Sequence, residues 1–395
     1  MSDSSEKPIY FDNAATSYPK PASVYAAHDQ YFRHAGNPGR AAHELALNSA
    51  RKIFDVRQNL ARFLGVSNSE RVIFTPGCTY SINMVLRGLP LKEGDCVVTG
   101  PLEHNAVTRT LNELHKKLNL KVVVLPYARR GIIDQVELER YLDNCRPALC
   151  VVSEASNVTG ERLSLEVVAS VCAGREVPLL VDAAQTAGSE FDSPGQYPGV
   201  SFWAAPGHKG LFGSAGAGLL FVRDSDSLSP TIFGGTGSAS ESLDMPPDLP
   251  DRLEPGSLPG PAIAAMGAGV EFIENTGAES IAAHEYQLTT AFLEWCFSKS
   301  WIRVVGNTYL EKRLPSPSEI VPVVSIELEN LTPDRAADLL NIEFMVAVRA
   351  GLHCAFKAHE TLNTVDRGLL RFSFGYFNTF EQLDTVFKGL ERVVR

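Results

Sequence analysis

The sequence predicts an α/β protein with a mostly parallel central sheet, followed by a smaller α+β domain. Three observations carry this reading. Short apolar runs alternate with segments of helical period from residue 43 to residue 190. Those runs ("RVIF", "KVVVLP", "ALCVVS") are continuously apolar, as strands covered on both faces are. A stretch rich in Gly, Pro and Ser at 234–262 then breaks the pattern, and a different mixture of helix and strand follows.

The chain has 395 residues, enough for two domains with large cores. Its start, "MSDSSEKPIYFDN", is polar and acidic, without an apolar signal region or a basic amphipathic pattern. No apolar run is long enough to span a bilayer, so a cytoplasmic protein is expected. Residues 43–64 place Ile53, Val56, Leu60, Phe63 and Leu64 at helical spacing. Strand-like "RVIF", "DCVVTG", "KVVVLP", "ALCVVSEAS" and "PLLVDAAQ" then alternate with helix-like "YSINMVLRGL", "AVTRTLNELHKKL", "VELERYLDN" and "LEVVASVCA", the order of βα units. "GVSFWAA" and "AGLLFV" read as two further strands. Helical patterns cover about 261–300. After them come strand-like "IVPVVSIEL", helix-like "DRAADLLN", strand-like "MVAVRAG" and "LLRFSFG", and a closing helix near 380–393.

Composition narrows the class of function. Hydrophobic residues make up 44% and charged residues 21%, as in soluble globular proteins. A net charge of −10 argues against a broad nucleic-acid footprint. The seven cysteines are scattered, odd in number and without a C-x-x-C pair, which suits reduced thiols. His353, Cys354 and His359 crowd one loop but fit no standard zinc spacing, so no metal is expected.

Ligands of open α/β sheets gather at the carboxyl ends of the strands. After "RVIFT", Gly77, Cys78 and Thr79 open a helix whose free N–H groups suit a phosphate, although taken alone the turn reads first as an ordinary helix cap by Thr79. After "DCVVTG" comes His104, either a helix cap or a ring stacked on a flat aromatic cofactor. After "ALCVVSEAS" comes Asn157, a turn former or a hydrogen-bond donor to a ligand. Asp182 ends "PLLVD", with Gln185 just beyond; a carboxylate there is costly to desolvate unless something pairs with it. Lys209, preceded by His208, lies in a glycine-rich turn after the next strand. An Asp at one strand end and a Lys just past the next are what pyridoxal phosphate chemistry requires. The Asp faces the ring nitrogen, and the Lys holds the aldehyde as a Schiff base.

The motifs "YFDNAATS", "GNPGR", "EHNAV", "SNVTG", "VDAAQTAG", "PGHKG", "GGTGS", "VRAGLHCA" and "RFSFGYFNT" resemble, in this order, those of cysteine desulfurases of the class V aminotransferase group. The resemblance runs over about residues 9–392. It implies the pyridoxal phosphate fold type I, like aspartate aminotransferase. The large cofactor-binding domain would be 17–260, and 1–16 with 261–395 the small α+β domain. Lys209 matches the Schiff-base lysine, His104 the ring-stacking residue and Asp182 the partner of the pyridine nitrogen. Gln185 and Asn157 match groups near the phenolic oxygen and the substrate carboxylate, and Thr79 and His208 phosphate ligands. Gly77 and Cys78 belong to that phosphate turn, Cys78 through its backbone. Thr236 matches a residue lent across a homodimer to the neighbouring phosphate. Arg371 matches the arginine that clamps the substrate carboxylate, with Ala14 and Arg349 beside the substrate. Cys354 in "RAGLHCA" matches the sulfur-accepting nucleophile on a short loop.

The implied reaction converts L-cysteine to L-alanine and leaves the sulfur on Cys354 as a persulfide for an acceptor protein. Selenocysteine lyase and cysteine/cystine C–S lyase are the rival activities on this scaffold, and a non-catalytic scaffold the rival from another class. The chain departs from its relatives at Pro206, where many have a phosphate-binding Ser. It departs again at Ser257, in "GSLPG", and at Phe356 and Lys357 after the cysteine.

Overall fold

The computed structural model describes residues 8–38, 43–129, 131–188, 193–224, 227–238 and 240–394. The polar N-terminus as far as Lys7 and the last two residues of "GNPGR" lie outside the described residues. A two-residue strand β1 (Ile9–Tyr10) leads to helices α1 (Ala22–His34) and α2 (Glu44–Phe63). A strand–helix run follows: β2 (Val72–Thr75), α3 (Cys78–Gly88), β3 (Cys96–Thr99), α4 (Asn105–Leu118), β4 (Lys121–Val124), α5 (Gln135–Cys145), β5 (Leu149–Ser153), α6 (Leu165–Ala173) and β6 (Leu179–Asp182). Strands β7 (Phe202–Pro206) and β8 (Gly218–Val222) flank the glycine-rich turn.

These strands form a seven-stranded sheet in the order β2-β8-β7-β6-β5-β3-β4. Only β8 runs against its neighbours; the other adjacent pairs are parallel. The continuous apolar runs are explained by burial on both faces. Phe74, Val98 and Trp203 pack into the core on one face of the sheet, and Ile73, Val97 and Phe202 into the core on the other. Each such side chain contributes roughly 1.5–3 kcal/mol by leaving water. The helices start where the sequence offers an acceptor: the side chains of His104, Asp134 and Ser164 each accept a backbone N–H in the first turn, worth about 1 kcal/mol apiece.

The second half comprises α7 (Gly260–Thr276), α8 (Ala278–Phe297), β9 (Ile302–Val304), β10 (Val323–Leu328), α9 (Pro333–Phe344), β11 (Val346–Ala347), β12 (Arg349–Gly351), α10 (Phe356–Leu362), β13 (Leu369–Ser373) and α11 (Phe380–Val393). An antiparallel sheet of order β12-β13-β10-β9 packs around Phe292, Leu340, Phe372 and Phe374. Strand β1 pairs in parallel with β11, so the N-terminal strand joins this C-terminal unit.

One expected boundary moves. Residues 261–276 were expected to open the small domain. They form α7, which lies against α1 and α2 and places Ile263, Met266, Val270 and Ile273 in the core of the large sheet. A helix apolar on nearly every side satisfies itself only inside a core. Among the described residues, no helix is long and apolar enough to cross a membrane.

Candidate active site

The carboxyl ends of β2, β3, β5, β6 and β7 converge on a cavity of about 390 Å³, and β12, β13 and the loop after β12 close it from the other side. Every site residue expected from the sequence lines this cavity except Thr236. Thr236 lies at a different cavity beside Phe54 and Arg57, and its hydroxyl bonds to Ser238.

Asp182 anchors the floor. It is 4% exposed, and its Oδ1 accepts the Ala184 N–H at 3.0 Å and the Cys78 thiol at 3.4 Å. The sequence reading gave Cys78 a backbone role alone; its side chain also contacts the floor carboxylate. Burial, reinforced by Asp182, raises the Cys78 thiol well above its usual range, so it stays protonated as a donor. The first turn of α3 starts at Cys78 with Gly77 as its cap residue, so the N–H groups of Cys78 and Thr79 lie at the positive end of the helix. Thr79 is therefore inside the helix rather than its cap.

His104 takes the cap role and stands in the cavity wall. Its Nδ1 accepts the Ala106 N–H at 3.0 Å at the start of α4. Burial lowers its pKa.

Lys209 sits on the turn between β7 and β8, where a Cβ at Gly210 would overlap the Ala187 carbonyl. The turn can approach its neighbour this closely only with glycine. Burial lowers the Lys209 pKa against the opposing pull of Asp182. The N-terminal segment straps the turn down. The His208 carbonyl accepts from Thr16 Oγ1 at 2.9 Å, Ser17 N at 3.1 Å and Lys20 Nζ at 2.7 Å, and the Lys209 carbonyl accepts from Ser17 Oγ at 2.9 Å. Burial, followed by Lys209 and Lys20, lowers the His208 ring to about 4. Burial alone brings Lys20 down to about 8.

The opposite wall is cationic. Arg371 on β13 is 2% exposed; Nη2 donates to Asp12 Oδ1 at 2.7 Å and Nη1 to the Asn157 carbonyl at 3.0 Å. Its Nε is buried without a partner. Arg349 on β12 faces Arg371 across the ladder, and its Nη2 lies 3.7 Å from Cys354 Sγ. The Asn157 amide donates to the His353 carbonyl at 2.7 Å, and that of Gln185 to the Ala14 carbonyl at 3.2 Å.

Cys354 is exposed at the mouth of the cavity. His353 and Cys354 both adopt left-handed backbone, at φ 50° and 56°. Each such non-glycine residue costs about 1–3 kcal/mol. The loop is held against α4, with Asn105 N–H donating to the Cys354 carbonyl at 2.8 Å and Asn105 Oδ1 accepting from Phe356 N at 3.2 Å. Sequence reasoning missed Asp12, Lys20 and Asn105. Asp12 was within reach, because it follows β1 much as Asp182 ends β6, a carboxylate at a strand end that needs a partner.

The cavity suits a flat, phosphorylated aromatic aldehyde. It offers a buried carboxylate on its floor, a buried amine, a helix N-terminus and an imidazole. A model of the family described as "Aminotransferase class-V" matches residues 9–386. The chain belongs to the class-V aminotransferase family. Members of this family use pyridoxal phosphate, and this chain is an enzyme with their type I fold. A protein of Pseudomonas aeruginosa named "Probable cysteine desulfurase" is 30% identical, covering 97% of this chain and 93% of its own length. A protein of the same name from Methanothermobacter thermautotrophicus is 29% identical, covering 98% and 94%. The solved apo structure of a cysteine desulfurase from Thermococcus onnurineus is 28% identical, with a TM-score of 0.88 over 98% of this chain and 94% of that one.

Proposed function

We propose that this class-V chain is a homodimeric, pyridoxal phosphate-dependent cysteine desulfurase. It would convert L-cysteine to L-alanine and carry the sulfur on Cys354 as a persulfide for an acceptor protein. The observation that carries the reading is an exposed thiol, beside a guanidinium, at the mouth of the cavity that holds Lys209 and Asp182. The thiolate is the nucleophilic form of a cysteine, and this thiol stands where a substrate sulfur held in the cavity could reach it.

When bound, pyridoxal phosphate supplies an electron sink conjugated to the α-carbon of the amino acid. The residues around it have separable tasks. Lys209 bonds the cofactor aldehyde and moves the α-proton; its lowered pKa suits a base. Asp182 would pair with the ring nitrogen through Oδ2, since Oδ1 already has two donors. His104 would cover the ring, and Gln185 and Asn157 would serve its polar edge. The α3 N-terminus, Thr79 and His208 hold the phosphate; Pro206 contributes no hydroxyl. Arg371 grips the substrate carboxylate, with Arg349 and Ala14 beside it. The Cys354 thiolate attacks the substrate sulfur. An S–S bond forms and the C–S bond breaks; the electron pair stays with carbon, which takes up a proton to become the methyl group of alanine.

The homodimer explains Thr236, which lies away from its own chain's cavity and would reach the partner's phosphate. Exposed Phe32, Phe54, Ile232 and Phe233 suit the surface of contact with a second copy. The seven cysteines, all unpaired, fit the cytoplasmic location we propose.

The test is product analysis with L-cysteine, together with mass spectrometry of the Cys354 peptide. Alanine, and one added sulfur on Cys354 when reductant is withheld, support the reading, and Cys354→Ser should abolish both. Pyruvate and ammonia in place of alanine would show a C–S lyase. Alanine formation at the wild-type rate by Cys354→Ser would remove the persulfide step.

A further inference from the structure

Behind the wall that carries His104 lies a buried carboxylate, that of Glu103, which is 2% exposed. Its Oε1 accepts the Ser153 N–H at 2.8 Å and its Oε2 the Ser153 hydroxyl at 2.7 Å. No Lys or Arg pairs with it among the described residues. The chain bends around this group: a Cβ at Gly100 would overlap Glu103 Oε1. Ser153 ends β5 directly opposite Asp182 on β6, and it lines the catalytic cavity although Glu103 does not.

Only one proton fits along the 2.7 Å line between Glu103 Oε2 and Ser153 Oγ. With Glu103 ionised, the Ser153 hydroxyl points back into the wall. With Glu103 protonated at Oε2, that O–H donates to Ser153 Oγ, and the serine proton swings to the open side, which is the cavity. We propose that Glu103 is a positioning residue that sets the direction of the Ser153 hydroxyl, and so the hydrogen bond that the cavity floor offers beside Asp182. The proton is exchanged with water. Burial places the change in a useful range, raising the Glu103 carboxyl to about 8 against the opposing effect of the Ser153 donors. The other titratable groups around it are Asp182 on β6, Cys150 on β5 and the adjacent His104.

The inference rests on this cavity being the cofactor site; the apoprotein arm of the test does not. In the holoenzyme, the visible band of the bound cofactor is titrated with pH. The wild type should show an inflection near the Glu103 ionisation. Glu103→Gln presents an N–H donor to Ser153 at every pH, so its band should stay in the low-pH form. Ser153→Ala should lose the inflection as well.

In the apoprotein, the urea midpoint is followed against pH. A carboxyl whose folded pKa is raised adds stability that is complete below its unfolded pKa of about 4.3. That stability is lost as pH rises to about 8. The difference between wild type and Glu103→Gln should follow this fall, and Ser153→Ala should retain it. An inflection that persists in both variants overturns the proposal, as does a midpoint profile unchanged by Glu103→Gln. Should Glu103→Gln fail to fold, an inflection that persists in Ser153→Ala overturns it alone. Failure of the alanine assay would count against the desulfurase reading and leave both of these results standing.

Discussion

Asp12 is the only carboxylate that pairs with Arg371 among the described residues, and its removal gives a sharp test of the cationic wall. In Asp12→Ala, Arg371 Nη2 joins Nε as a buried donor without a partner, leaving only the bond from Nη1 to the Asn157 carbonyl. Removing one partner of a buried ion pair costs about 3–5 kcal/mol. The Asp12 side chain is 20% exposed, against 2% for Arg371, so water reaches one side of the pair. The lower end, about 3 kcal/mol, is therefore the expectation for the apoprotein. Asp12→Asn keeps an oxygen acceptor for the guanidinium but loses the countercharge; the bond that remains, to a charged donor, is worth about 1.5–3 kcal/mol, so this variant should recover about half of the loss or more. Urea unfolding of wild type and both variants measures the effect as a shift in midpoint at constant slope. A substrate-like carboxylate, such as L-alanine at high concentration, should restore part of the loss in Asp12→Ala by taking the vacated place. If Asp12→Ala lies within about 0.5 kcal/mol of wild type, the range of an ordinary surface substitution, Arg371 is not held as described and the argument for a poised carboxylate clamp fails.

Other outcomes follow from the same geometry. Lys209→Ala should leave the purified protein without the yellow cofactor band after dialysis; a variant in which borohydride still fixes the cofactor would place the bond on another lysine. Arg371→Lys keeps the charge but cannot serve Asp12, Asn157 and a substrate carboxylate together. It should raise KM for cysteine roughly tenfold or more, as the loss of one charge-assisted bond of about 1.5–3 kcal/mol requires, and an unchanged KM would point to Arg349 as the clamp. His208 has a folded pKa depressed to about 4. Its contribution to stability is thus complete above its unfolded value of about 6.5 and lost as pH falls toward the folded one. Apoprotein His208→Gln should lose less stability than wild type over that window, and parallel curves would show that His208 takes up its proton in the folded state as readily as in the unfolded one.

The layered α/β architecture is legible in the amino-acid order alone, because strands buried on both faces have to be apolar at consecutive positions, as "ALCVVS" and "PLLV" are. That order also pointed to Asp182 and Lys209, since a carboxylate ending such a strand and a lysine in a glycine-rich turn are both expensive unless something binds them. Cys354 was marked differently, only through the resemblance of "RAGLHCA" to the cysteine desulfurase motif. Other features were decided only by tertiary structure. Asp12 meets Arg371 across 359 residues of chain, a contact that no local pattern encodes. Lys20 reads as a surface cation until the chain folds its ammonium onto the His208 carbonyl. Glu103 stands beside His104 in the sequence, but its meaning depends on Ser153, 50 residues on, reaching the same wall through a parallel strand. Helix α7 follows a linker and so looked like the start of the second unit, yet its apolar surface on nearly every side drew it into the first core. Local sequence sets the cost of leaving a group unpaired or exposed, and only the folded chain decides which distant group meets that cost.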